Sequence, residues 1–263
     1  MTNRIRGLAA FALLCLVAAF LAPAIPQPLD YHDFADQRGA FGIDNFLNVV
    51  SNAGFLVAGL AGLLITFGGR AHFEFANEKW PWAVFFAGIL LTAFGSSYYH
   101  LAPDNERLFW DRLPMTIGFA GLISSQVADR ISVRGGLAVL LPLLIAGVAS
   151  VVYWRATERA GAGNVLPYAI LQGYAMVLML WLAIFEPSRY TRSIDLYWIF
   201  GWYALSKLLE TFDAEVYSLL GNLVSGHTLK HVAASGSGFV ACYMLMRRRL
   251  LQRAVPDAPK ATS

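Results

Sequence analysis

Apolar residues run in blocks close to 20 long along almost the whole chain, separated by short polar breaks. Neither strand-like alternation nor a long polar face interrupts this pattern, and blocks of that length suit bilayer-spanning helices. Eight spans are predicted, at about 7–24, 45–67, 82–101, 112–130, 135–153, 165–184, 194–211 and 225–247. Breakers fall between them: Pro26 and Pro28, Gly68-Gly69, Pro103, Gly135-Gly136 and Glu186-Pro187-Ser188. The expected fold class is all-α, a polytopic transmembrane helical bundle with a seven-helix core and one extra N-terminal helix.

Composition agrees with this picture. Of 263 residues, 57% are hydrophobic and only 14% charged, where a soluble domain carries about 25%. Cys15 and Cys242 both sit in apolar runs and lack metal-site or disulfide spacing. The net charge of +3 is no nucleic-acid signal, because the basic residues gather at helix ends. With the amino terminus inside, cytoplasmic positions collect thirteen Lys and Arg, against five in the opposite loops: Arg38, Arg107, Arg112, Arg155 and Arg159. Both termini are therefore expected in the cytoplasm. Residues 1–25 read as an extra helix or signal anchor, with a cleavable signal peptide as the rival because Ala22-Pro23-Ala24 resembles a processing site. Residues 26–253 form the membrane domain, and 254–263 are expected to be a disordered tail.

The chemistry lies in a few polar residues inside the apolar blocks. His227 and His231 are one helical turn apart and share a face, which suits two ligands of one metal ion. His100 ends another span, and Asp111 follows eleven residues later. Alternating helix direction brings all four to one membrane depth, on the outer side. Three imidazoles with a fourth position left for water is the pattern of a catalytic zinc site. Asp111 then reads as a general base, with a helix cap, a first-turn acid or a partner for Arg112 as the plain alternatives. Ser96, one turn before His100, either bonds back to its own helix or donates to a developing oxyanion. Asn45, Asn48, Ser51 and Asn52 make one polar stripe, for interhelical bonding or for support of the metal histidines. Lys207 and Glu210 are expected to pair, Lys230 to snorkel outward, and His32 and His72 to lie in loops.

Ser96-x-x-x-His100, Asp111-x-Leu113-Pro114-Met115 and His227-x-x-x-His231 together resemble the alkaline ceramidase family, as does the segment Asn48-Val49-Val50-Ser51-Asn52. That family belongs to a superfamily of membrane hydrolases that includes adiponectin-type receptors and GPI-anchor remodelling proteins. The likeness runs from about Tyr31 to Arg249. It implies a seven-helix enzyme that hydrolyses the amide of ceramide to a sphingoid base and a fatty acid. Zn2+ would be held by His100, His227 and His231, with Asp111 activating water and Ser96 assisting the tetrahedral intermediate. Eukaryotic members bind calcium through an acidic N-terminal segment ending in a glutamate. Here Asn45 stands three before Asn48, and Asp30, Asp33, Asp36 and Asp44 do not clearly reproduce the pattern, so Ca2+ is the less supported ion. The rival functions are an ester-cleaving lipid hydrolase of the same superfamily and a non-enzymatic seven-helix receptor. The partners expected are a ceramide-like lipid and the bilayer, in the inner membrane of a bacterium.

Overall fold

A computed structural model describes residues 3–251; the tail expected to be disordered, 254–263, lies outside them. The protein is all-α. Its helices are α1 (Asn3–Leu21), α2 (Phe46–Val50), α3 (Ala53–Phe67), α4 (Lys79–Leu101), α5 (Asn105–Arg130), α6 (Val133–Arg159), α7 (Leu166–Phe185), α8 (Asp195–Thr211), α9 (Asp213–Leu219) and α10 (Gly226–Arg247). Every predicted span has a helix, and two details differ. The block 45–67 breaks at Ser51-Asn52 into α2 and α3, and the unexpected short α9 leads from α8 towards α10.

Four segments are long and apolar enough to cross a membrane: 46–67, 76–101, 133–159 and 166–185. The remaining long helices mix charge into their apolar sequence. Helix α5 carries Asp111, Arg112, Asp129 and Arg130, while α8 carries Asp195, Lys207 and Glu210. Many of these polar groups are buried in the bundle, where protein partners take the place of water.

Glycine sets how closely the central helices approach. A Cβ at Gly95 of α4 would overlap the carbonyl of Trp110 on α5. That carbonyl is available because Pro114, four residues on, has no N–H to bond it. The α4 and α5 backbones thus meet beside Ser96 and Asp111, a small-residue contact of the kind that drives helix association in lipid. Gly226 does the same at the start of α10, where a Cβ would strike the Leu209 carbonyl and the Asp213 backbone.

The main apolar core, built from Trp82, Phe85, Phe86, Met179, Leu182, Leu196 and Leu245 among others, lies away from the histidines. Helix α5 packs between α4 and α6, α10 packs on α8 and α3, and α1 rests on α7.

Candidate metal centre

His100, in the last turn of α4, meets His227 and His231 from the first turns of α10. All three are buried, and their ligand nitrogens lie within 4.8 Å of one another. The Nε2 atoms of His100 and His227 are 3.3 Å apart. Two nitrogens bound to one tetrahedral zinc at 2.0–2.1 Å would be separated by about 3.3 Å, so this spacing suits a shared ion. Ring centroids of 4.8, 4.9 and 5.1 Å make the group compact on every edge. This donor set can hold a metal ion. Among the described residues, no other group of three or more His, Cys, Asp or Glu side chains converges in this way. Asp36 in particular is committed to Arg38, by bonds of 2.7 and 2.8 Å, which holds its carboxyl below the usual range.

The histidines are held from behind. Ser51, at the break between α2 and α3, places its Oγ 2.8 Å from His231 Nδ1, leaving Nε2 as the ligand atom. Asn45 donates to the His100 carbonyl at 3.0 Å. Asn48 accepts from the Thr228 hydroxyl at 2.8 Å, tying α2 to α10. The polar stripe therefore faces inward and contacts both histidine-bearing helices. Ser225 caps α10 by accepting from the Thr228 amide, and Asp213 Oδ1 accepts from the His227 amide at 2.6 Å. Asp213 Oδ2 also accepts from the Ala35 amide, which fixes the segment carrying Phe34. The Phe34 ring, buried, lies 4.2 Å from His227 and 4.8 Å from His100 and covers the cluster on that side.

On the other side lies a cavity of about 410 Å³, within the usual range for small-molecule pockets. His231, Ser96 and Asp111 line it together. Asp111 is neither a cap nor a first-turn acid: Asp104 caps α5, accepting from the Arg107 amide at 2.6 Å, and Asp111 stands seven residues further on. From Ser96 to Phe85 on α4, and from Asp111 to Leu122 on α5, the lining runs eleven residues, about 16 Å of helix. The deeper wall is apolar, with Phe85, Ile89, Leu122, Met176 and Phe200.

Lys230 does not snorkel outward. Its Nζ bonds Glu210 Oε1 at 2.5 Å and its side chain is 14% exposed, while Lys207 bonds the other Glu210 oxygen at 2.7 Å. One helical turn separates Lys207 from Glu210, so that pair was readable from sequence; the link from α10 to α8 was not. Phe34 and Asp213 also escaped sequence reasoning, since nothing in their local pattern shows what they touch, and Arg112, offered as a partner for Asp111, bonds Gln27 instead at 2.6 Å. His32 is less solvated than a loop position suggests, bonding the Tyr99 hydroxyl at 2.8 Å and Asn105 at 2.9 Å. No protein-family model matches this chain, and no curated protein aligns with it significantly.

Proposed function

We propose that this protein is a zinc-dependent membrane amidase that hydrolyses the N-acyl bond of ceramide-type lipids to a sphingoid base and a fatty acid. In this reading α2 to α8 and α10 make seven spanning segments, with α2 and α3 counted as one and α9 as a linker; α1 is the added eighth. Both termini then lie in the cytoplasm, and the histidine end faces outward.

One observation carries the proposal. His231, Ser96 and Asp111 line one cavity together, and along α4 and α5 that cavity continues for about three helical turns past Ile89 and Met115 to Phe85 and Leu122. A long acyl chain fits that stretch, and its carbonyl would arrive where the three polar side chains converge. The resemblance to alkaline ceramidases rests on the same residues.

When bound, zinc lowers the pKa of a coordinated water to about 7 and acts as a Lewis acid towards a carbonyl oxygen. His100, His227 and His231 are the residues that would hold it. Asp111 accepts a proton from the attacking water as the new C–O bond forms. Ser96 donates its hydroxyl to the carbonyl oxygen as that oxygen gains charge. Asp111 then returns the proton to the nitrogen as the C–N bond breaks, so the amine leaves neutral. Phe34 excludes bulk water from the far side of the histidines.

Mass spectrometry of products from metal-replete protein with ceramide and with phospholipid tests the reading. Sphingoid base and fatty acid from ceramide are expected. Fatty acid released only from phospholipid would replace the amidase by an esterase.

A further inference from the structure

The cavity wall contains five charged side chains: Asp111, Glu210, Arg112, Lys207 and Lys230. Three cations face two carboxylates. The imbalance centres on Arg112, which is 7% exposed and forms no ion pair among the described residues. Its one hydrogen bond among those described runs from NH2 to the neutral Gln27 amide oxygen at 2.6 Å, and its NH1 has no hydrogen-bond partner. The guanidinium is instead stacked by three rings: Trp154 at 4.4 Å, Tyr168 at 5.1 Å and Tyr31 at 5.6 Å. Those rings fix its plane without neutralising it.

A buried guanidinium without a counter-ion is costly, and it persists where something repays the cost. The second cationic group stands close by. Tyr31, which stacks on Arg112, donates its hydroxyl to Glu210 at 3.1 Å, and Glu210 carries both lysines. A single carboxylate shared by two ammonium groups leaves donors over, because each ammonium has three. The cavity thus presents an apolar wall for a chain, an acid and a serine beside the histidines, and a surplus of N–H donors on Arg112, Lys207 and Lys230.

We infer that the lipid taken by this site carries a phosphate on its head group, and that Arg112, with Lys207 and Lys230, is the subsite that reads it. A phosphate offers several oxygens to a planar fork and two point charges at once. The inference rests on the cavity being a lipid site, and it goes beyond ceramide itself, which is neutral. Arg112 here is a specificity residue, distinct from the groups proposed to act on the amide.

The test uses the full chain, metal-replete, in lipid nanodiscs, and reads binding separately from turnover. Thermal stabilisation is measured with ceramide, with ceramide 1-phosphate of the same acyl chain, and with inorganic phosphate alone. Hydrolysis of both lipids is followed in parallel. At least tenfold tighter binding of ceramide 1-phosphate than of ceramide is expected, with little effect of free phosphate. Arg112→Gln should remove most of that preference, and Arg112→Lys should restore part of it. Lys207→Gln, which removes one of the two ammonium groups on Glu210, should weaken the preference. Equal binding of the two lipids by the wild type overturns the inference, as does a full response to inorganic phosphate alone. A preference that survives both Arg112→Gln and Lys207→Gln overturns it too. Binding preference without cleavage of either lipid would keep the phosphate subsite and reject the amidase.

Discussion

The two ends of the bundle both bury polar side chains, but they do so in opposite ways. At the histidine end, three imidazoles bring ring nitrogens within 4.8 Å of one another, beside a cavity. At the other end, unlike charges are matched. Arg248, 1% exposed, bonds Asp129 at 2.7 Å and stacks on Tyr190 at 4.0 Å. Tyr190 donates to Glu78, which also takes Arg189, and Arg189 bonds Glu74 and the Ala128 carbonyl. Arg130 holds the Leu182 and Glu186 carbonyls at the end of α7. Opposite charges pair with one another and tie the chain ends of helices together, whereas the convergent histidine nitrogens could hold a cation. Burial alone therefore does not mark a site, whereas unmatched convergence does.

The largest expected effect breaks the histidine end alone. His231→Ala should abolish lipid hydrolysis, by at least about a thousandfold, and should lower bound zinc measured by elemental analysis. Because apolar packing surrounds the other end, the protein should still fold. Wild-type zinc content in that variant would remove His231 from the ligand set.

Arg248→Ala tests the opposite end. It strands the Asp129 carboxylate in the interior, which should cost about 3–5 kcal/mol of stability. Unfolding in mild detergent would read the loss, and the fraction still folded should keep its zinc. A variant as stable as the wild type would mean that this network is ornamental rather than a lock.

Much of the histidine end was legible because intramembrane polar residues are few and helices are regular. His100, Asp111, His227 and His231 could be brought to one depth by span direction alone. The Ser51–His231 contact was foreseen only as a general support role for the stripe. The break that creates it was not, since neither Ser51 nor Asn52 is itself a glycine or proline. Lys230 was misread for a different reason. Helical phase gives the face a side chain leaves from, but a long flexible chain reaches whichever partner tertiary packing brings, here Glu210 of α8. The arginine end was almost invisible, as Asp129 and Arg248 are 119 residues apart and each resembles an ordinary helix-end charge. The surplus cation at Arg112 was likewise hidden, because the absence of a partner is a fact about the whole fold.

Smaller changes separate chemistry from metal holding at the same end. Ser96→Ala should lower kcat by about a hundredfold while zinc is retained, as for loss of one oxyanion donor. Unchanged kcat would remove Ser96 from the reaction and leave it as a residue of the cavity lining alone. Ser51→Ala should weaken zinc by about ten- to a hundredfold, since it frees His231 Nδ1 without touching a ligand nitrogen. Chelator titration reads that change, and an unaltered zinc affinity would show that the orientation of His231 is held by packing.

The smallest effect concerns charges that belong to neither buried cluster. Glu106, exposed in the first turn of α5 at the rim, receives both Arg155 and Arg159 at 2.6 Å and so ties α5 to the last turns of α6. The two guanidinium groups, Arg159 first, hold its carboxyl down to about 2 from an ordinary value of 4.5. A depressed carboxylate contributes stability that is present above pH 4.5 and fades as pH falls towards 2. Solvent screens the pair, so the contribution should be small and weakened further by salt. In Glu106→Gln the acid-side decline in melting temperature across that window should be shallower than in the wild type. Parallel profiles for the two proteins would mean that buried carboxylates such as Asp129 govern the acid response, which would assign it to the arginine end.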